Sequence, residues 1–187
     1  MKVGGTSLLG FTSHWRYILL NALRNDMDKD STLPEAPPLG ITPILVTDHA
    51  EAAVTFYKRA FDAVELARIA APDGKRLLHV RLVVFGSRLI VMDELAEVNE
   101  MGSRFFAPSH LNGTSVTLHV QVEDASLVWK NALAAGAVEV IPLALQFWGE
   151  YYGRLKDPFG HEWTVAQFVE SLSDSEVERA SESVFGE

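Results

Sequence analysis

A pattern of strand, helix and three further strands occurs twice along this chain. The segment ITPILVTDHAEAAVTFYKRAFDAVEL in the first half is echoed by VTLHVQVEDASLVWKNALAAGAVEV in the second. Each copy opens with alternating apolar residues that end at an aspartate, Asp48 or Asp124, and we interpret both aspartates as helix N-caps. A chain with this repeat is predicted to fold as two similar modules that bury a shared core.

The residues after each aspartate have the spacing of an amphipathic helix. Apolar side chains recur at i, i+3, i+4, i+7 and i+8 in both copies, and Gly136 supplies a C-terminal stop in the second. The residues on these two predicted apolar faces are Ala53, Phe56, Tyr57, Ala60 and Phe61 in the first copy, and Ala125, Val128, Trp129, Ala132 and Leu133 in the second.

Runs rich in β-branched residues follow each helix and indicate strands. They are VELARI, RLLHVRLVVF and RLIVMDE in the first half, and VEVIPLAL, EYYGRLKD and HEWTVAQF in the second. Turn residues separate them at Pro72-Asp73-Gly74, Gly86-Ser87, Trp148-Gly149 and Asp157-Pro158-Phe159-Gly160. The sequence therefore predicts an α+β domain over residues 40–169, made of βαβββ modules at about 40–94 and 114–169.

The two ends of the chain differ from this pattern. Residues 1–39 are interpreted as an N-terminal arm, because their apolar runs are too short for a membrane span and Pro34, Pro37 and Pro38 deny a helix its backbone donors. Translation from Met27 is an alternative start. In the segment 170–187, SDSEVERA predicts a capped, acidic C-terminal helix.

Charge and cysteine content exclude several classes of function. The net charge is −9, and the 16 Lys and Arg residues are scattered, so we expect neither a nucleic-acid nor a membrane partner. The absence of cysteine excludes disulfides and thiolate metal sites and fits a cytoplasmic location. Hydrolase and nucleotide-binding motifs are also missing.

From about residue 40 to 180 the chain resembles the vicinal oxygen chelate superfamily (glyoxalase/bleomycin resistance protein/dioxygenase), specifically its PhnB-like branch. TPILVTDHAEAAVTFYKRAF, LLHVRLVVFGSRLIVMDE and above all QFWGEYYGRLKDPFGHEW carry this resemblance. It implies a glyoxalase/bleomycin-resistance fold, in which a curved mixed sheet surrounds a cleft for a small-molecule ligand. It also implies a homodimer, and in the enzymes of the superfamily a divalent metal held by His, Glu or Gln.

Transferring the metal positions residue by residue places three of them on Ile41, Thr117 and Thr164. The fourth falls within Leu89–Asp93, where only Asp93 and the adjacent Glu94 could coordinate. Isoleucine offers no donor and a threonine hydroxyl is a poor ligand for zinc, iron or nickel. We therefore expect neither the usual metal site nor a cofactor.

A divalent metal at a relocated site is the alternative, with His79, His119 and Glu162 as its ligands. Strand alternation puts His119 and Gln121 on the face of Thr117. Structural histidines, hydrogen-bonded within a sheet, are the competing interpretation of His79 and His119, and His161 is predicted to fix a hairpin.

An aromatic group beside Arg154, formed by Trp148, Tyr151, Tyr152 and Phe159, could stack a planar ligand while the guanidinium pairs with its anionic part; it could equally be hinge packing. Two functions follow: a metal-free small-molecule-binding protein, or a metal-dependent lyase, isomerase or dioxygenase. Whether the chain is an enzyme is left open. The predicted ligand-binding cleft consists of His79, Thr117, His119, Gln121, Trp148, Tyr152, Arg154, Glu162 and Thr164.

Overall fold

The fold was taken from a computed structural model, which describes residues 40–95 and 104–185. The chain divides into two compact units. One comprises residues 1–41 and 95–105, and its described part contains an antiparallel bridge between Leu95 and Phe105. The other comprises residues 42–94 and 106–187 and contains all the helices and strands given below. The predicted N-terminal arm and the alternative start at Met27 lie outside the described residues.

The first module has the predicted order of strand, helix and three strands. Strands β1 and β4 are parallel, whereas β4, β3 and β2 are antiparallel neighbours, which gives a four-stranded sheet in the order β1-β4-β3-β2. The elements are β1 (Ile44–Thr47), α1 (Ala50–Phe61), β2 (Val64–Ala70), β3 (Leu77–Val84) and β4 (Ser87–Asp93).

The second module repeats this topology after a short helix, α2 (Pro108–Leu111). Its sheet has the order β5-β8-β7-β6, again with one parallel pair, β5 and β8. The elements are β5 (Thr117–Gln121), α3 (Ala125–Ala135), β6 (Val138–Leu145), β7 (Glu150–Lys156) and β8 (Glu162–Phe168). The duplicated βαβββ prediction is confirmed.

The C-terminal segment forms α4 (Asp174–Phe185), as the acidic, serine-capped sequence predicts. Ser173 begins this helix with its hydroxyl donating to Glu176 at 2.6 Å, while its amide donates to the same carboxylate at 2.8 Å. Within residues 40–95 and 104–185, no helix has the length and apolar character needed to span a bilayer.

The prediction that Asp48 caps the first helix is wrong by one residue. The N-cap is His49, whose side chain makes no capping bond, and the amide of Ala50 donates instead to Asp93 at 2.8 Å. Asp93 also accepts from the amide of Leu77 at 2.6 Å. A carboxylate at the end of β4 therefore replaces a local cap, because it satisfies a free helix N–H from across the sheet.

In the second module the N-cap is the predicted one. Asp124 accepts from the amide of Leu127 at 2.9 Å, and Gln167 accepts from the amide of Ala125 at 3.0 Å. Gln167 is thus the repeat equivalent of Asp93. The two modules therefore align with His49 opposite Asp124, one residue away from the sequence alignment that paired Asp48 with Asp124.

The core lies around the two long helices. Each helix covers one face of its own sheet, and α1 and α3 pack against each other. The opposite face of each sheet is consequently directed away from the helix that covers that sheet.

One buried polar cluster joins the modules across this core. The hydroxyl of Tyr57 on α1 donates to Asp157, at the β7–β8 turn, at 2.7 Å. The same carboxylate accepts from the amides of Phe159 and His161, both at 2.9 Å, and from the indole of Trp163 at 3.1 Å. His161 therefore fixes this hairpin, as predicted.

Candidate functional site

The outer face of the second sheet carries most of the predicted cleft residues. Leu118, Val120, Trp163, Val165 and Leu155 point into the core, so the residues that alternate with them point outward. We call this surface the open face; it consists of Thr117, His119, Gln121, Glu150, Tyr152, Arg154, Lys156, Glu162, Thr164, Ala166 and Phe168, together with Trp148, whose ring contacts that of Tyr152.

Strand register places three polar residues side by side at the centre of the open face. His119, Thr164 and Arg154 are aligned across β5, β8 and β7. The Nδ1 atom of His119 lies 2.9 Å from the hydroxyl of Thr164, which is buried. This hydrogen bond agrees with the interpretation of His119 as a structural histidine bonded within a sheet. The ring of His119 nevertheless remains exposed.

Arg154 forms the charged part of this centre. Its Nη1 atom lies 3.2 Å from a carboxylate oxygen of Glu162, and the two side chains are 35% and 26% exposed. The Nε atom of Arg154 is buried and has no hydrogen-bond partner. The guanidinium therefore makes only part of the contacts that it can form.

An aromatic and amide group borders this centre. The rings of Trp148 and Tyr152 meet edge to face with their centroids 5.7 Å apart, and Tyr152 lies 6.4 Å from the ring of His119. Glu150 accepts from the indole of Trp148 and from the amide of Gln121, each at 3.2 Å. These contacts hold the ring of Trp148 beside the sheet.

The predicted aromatic group is divided by the sheet. Trp148 and Tyr152 meet on the open face, but Tyr151 belongs to the opposite face because it alternates with Tyr152. Phe159 packs against Phe56 in the core, with ring centroids 6.2 Å apart. Glu150 was missed, although its alternation with Tyr152 and Arg154 in the sequence would have placed it on their face.

The transferred metal position at Ile41 is also corrected by the repeat alignment. Ile41 precedes β1, belongs to the other compact unit and is 96% exposed. Because Asp93 corresponds to Gln167, Thr42 corresponds to Thr117 and Ile90 to Thr164. None of these four side chains is an imidazole or a carboxylate, so they do not fit a metal ion of the usual kind.

The two carboxylates near the end of β4, Asp93 and Glu94, form hydrogen bonds that hold the backbone. Asp93 holds the amides of Ala50 and Leu77, as described above. Glu94 accepts from the amide of Ala107 at 2.7 Å and lies 3.2 Å from the ring of His110.

His79 is the one predicted cleft residue that lies elsewhere. It is on β3, and its neighbour Val80 points into the core, so His79 faces outward on the first sheet. Burial lowers the pKa of His79, and the charge of Arg81 lowers it further, so the ring is neutral near pH 7. One chain does not bring His79 to His119 and Glu162, and the described residues contain no cluster of three His, Asp or Glu suited to a metal ion.

The outer face of the first sheet is more apolar than the open face. Ile44 and Ile90 are paired at the position where the second module pairs His119 with Thr164. The two modules thus share a backbone plan while presenting different chemistry.

A small groove of about 240 Å³ lies near α2 and the β7–β8 turn. Asp48, Ser109, Asn112, Lys156 and Phe159 are among its lining residues. It has none of the aromatic or histidine side chains of the open face.

Comparison with protein families gives a match over residues 40–165 to the family described as Glyoxalase/Bleomycin resistance protein/Dioxygenase superfamily. An uncharacterized protein of Mycobacterium tuberculosis (strain H37Rv) is 41% identical over 143 residues, covering 76% of this chain and 82% of the relative. An uncharacterized protein of Arabidopsis thaliana is 32% identical over 132 residues, covering 67% of this chain and 76% of that relative.

Solved structures have the same fold. TioX from Micromonospora sp. ML1 superposes with a TM-score of 0.55 at 25% identity, covering 71% of this chain and 100% of TioX. A PhnB protein from Bacillus cereus superposes with a TM-score of 0.51 at 16% identity, covering 69% of this chain and 99% of that protein.

Proposed function

Because the chain belongs to the glyoxalase/bleomycin resistance protein/dioxygenase superfamily, we propose that it binds a small organic molecule on its open face without a bound metal ion. The observation that carries this proposal is the composition of the open face. Hydrogen-bonding and aromatic side chains surround Thr117 and Thr164, and the repeat equivalents of these two positions on the first sheet are Thr42 and Ile90.

The side chains of the open face can recognise an organic ligand by themselves. Tyr152 and Trp148 offer ring surface, His119 and Gln121 offer hydrogen bonds, and Arg154 offers charge. A ligand site generally combines apolar walls with a few polar groups that fix orientation. The open face supplies the polar groups and one aromatic wall.

The second wall of the cleft is proposed to come from another copy of the chain. The two modules form separate four-stranded sheets, and in each sheet the long helix of that module covers one face only, so the open face needs a further surface to enclose a ligand. Ile44 and Phe168 are 50% and 59% exposed on these faces, which favours their burial in an assembly. A homodimer would set the apolar first sheet of one copy opposite the open face of its partner.

Metal content tests the metal-free proposal. We expect protein dialysed against trace zinc, nickel, iron and manganese to retain substoichiometric metal when measured by elemental mass spectrometry, because the aligned positions lack strong donors. Replacing both Thr117→His and Thr164→Glu would supply an imidazole and a carboxylate on neighbouring strands, and this variant serves as the positive control. One tightly held ion per wild-type chain would contradict the proposal and favour a metal-dependent lyase, isomerase or dioxygenase.

The assembly has its own test. Wild-type protein is expected to sediment as a dimer, and Phe168→Glu to sediment as a monomer, because a charge in the apolar contact is costly to desolvate. Leu127→Glu is the matched control: Leu127 is 53% exposed on α3, on the helical side of the sheet, and its substitution should leave the dimer intact. A monomeric wild type in analytical ultracentrifugation would rule out a cleft shared between copies.

A further inference from the structure

Arg154 and Glu162 form an incomplete ion pair at the centre of the open face. The closest contact between them, 3.2 Å from Nη1 of Arg154 to Glu162, is longer than the roughly 2.7–2.9 Å typical of charge-assisted N–H···O bonds. Both side chains remain partly exposed. The pair is therefore open to competition from another acceptor.

The Nε atom of Arg154 adds a second, independent observation. It is buried without a hydrogen-bond partner, and a buried donor left unpaired carries a desolvation cost that a new acceptor would remove. Since Nε is also shielded from solvent, an incoming anion would reach it only if the side chain turned away from Glu162.

The surroundings of Arg154 indicate what else such an anion would carry. Tyr152 lies two residues earlier on the same strand and face, and its ring meets that of Trp148 edge to face. A planar group could lie against this aromatic corner while its carboxylate meets the guanidinium.

We propose, building on the metal-free cleft above, that the ligand is a planar aromatic carboxylate, and that Glu162 is an internal competitor for Arg154. Without ligand, Glu162 occupies one side of the guanidinium. The ligand carboxylate displaces it and takes two of the guanidinium N–H groups. Glu162 thus sets how strongly a negative charge on the ligand is favoured.

The test uses 2-naphthoate and its neutral counterpart 2-naphthamide as probes, titrated into the wild-type protein and followed by calorimetry and amide chemical shifts. We expect 2-naphthoate to bind about tenfold more tightly than the amide, in line with a hydrogen-bonded charge pair of modest strength. Arg154→Gln should remove this preference without weakening amide binding. Arg154→Lys should leave part of it, since an ammonium lacks the fork geometry.

Glu162→Gln gives the outcome that distinguishes competition from simple attraction. Its amide keeps the shape of the side chain but binds the guanidinium more weakly, so 2-naphthoate should bind about threefold to tenfold more tightly and 2-naphthamide should be unchanged. Lys130→Gln is the matched control, because it removes one positive charge from an exposed position on α3, on the helical side of the sheet. It should change the preference by less than about twofold.

Each remaining result has a definite meaning. The inference is overturned if Arg154→Gln still binds 2-naphthoate more tightly than 2-naphthamide. It is also overturned if Glu162→Gln binds 2-naphthoate more weakly than the wild type does. Equal binding of acid and amide to the wild type overturns it while leaving the proposed cleft in place. Binding of neither probe at millimolar concentration contradicts the inference and the proposed cleft together. If Arg154→Gln fails to fold, Arg154→Lys and Glu162→Gln still decide the question.

Discussion

Asp157→Ala is expected to lower the free energy of unfolding by about 3–5 kcal/mol, as removal of one partner from a buried charged network does. The Asp157 carboxylate accepts hydrogen bonds from the hydroxyl of Tyr57, from two backbone amides and from the indole of Trp163. Alanine would leave these donors unpaired in the core. Because Tyr57 belongs to the first module and Asp157 to the second, the same change loosens the junction between the modules.

The pKa values of this cluster define the pH range in which it stabilises the fold. Burial raises the pKa of Asp157, but the hydrogen bond and charge of His161, then Tyr57 and Trp163, outweigh it and hold the pKa below its usual value. A carboxyl whose pKa is lower in the folded state stabilises above its unfolded pKa of about 4, and this contribution is lost as the pH falls below it.

The contribution of Tyr57 to stability depends on pH in the opposite direction. Burial raises its pKa well above the usual value, and the charge and hydrogen bond of Asp157 raise it further. Its contribution is therefore present below the unfolded pKa of about 10 and is lost as the pH rises above it. The hydroxyl is a protonated donor throughout the intervening range.

Urea unfolding at pH 3–7 measures the effect of Asp157→Ala. The wild type should lose stability below about pH 4 more steeply than the variant, which lacks the titrating carboxyl. Tyr57→Phe is the matched comparison: it removes one donor and should cost about 1.5–3 kcal/mol, the usual value for a hydrogen bond to a charged group. A stability loss under about 1 kcal/mol for Asp157→Ala would show that this carboxylate does not join the modules.

Gly153→Ala is expected to destabilise the second module by about 3 kcal/mol, at the upper end for overpacking a core. A Cβ atom at Gly153 would lie 2.6 Å from the ring of Trp129 and 2.9 Å from the Cα atom of Leu143. The ring belongs to the core and the other contact is backbone, so neither neighbour can move freely.

Gly113→Ala provides the control for Gly153→Ala. No atom lies within 4 Å of a Cβ at Gly113, and its backbone is outside the left-handed region. Its stability should be unchanged or rise by up to about 1 kcal/mol, because alanine restricts the unfolded chain. Thermal unfolding of the two variants compares them directly; equal melting temperatures would mean that the strand shifts to accept a methyl group.

The repeat was visible in the sequence because its causes are local. Apolar spacing along α1 and α3, alternation in the strands and turn residues between them depend on neighbours a few positions apart. Asp124 was recognised as a cap for the same reason. His49 was not recognised, since the amide of Ala50 in its helix is held by Asp93, which lies 43 residues after Ala50.

The candidate site was predictable only in part. Alternation along each strand grouped Thr117 with His119 and Glu162 with Thr164, and pairing of β5 with β8 makes these one surface. His79 was predicted to lie beside these residues, although it belongs to the other sheet. That prediction depends on how the two sheets are oriented, and the residue pattern of a strand carries no information about this orientation. The same limit separated Phe159 from Tyr152, because packing of Phe159 against Phe56 decides its place.

By itself the sequence determined two βαβββ modules and the faces of their helices and strands, because these follow from short-range periodicity and residue type. The tertiary structure decided the one-residue alignment of the modules and the outward direction of both sheets. It also decided the incomplete pairing of Arg154 and the burial of Asp157 against Tyr57. These features depend on contacts between residues far apart in the chain, whose geometry is set only when the two helices pack together.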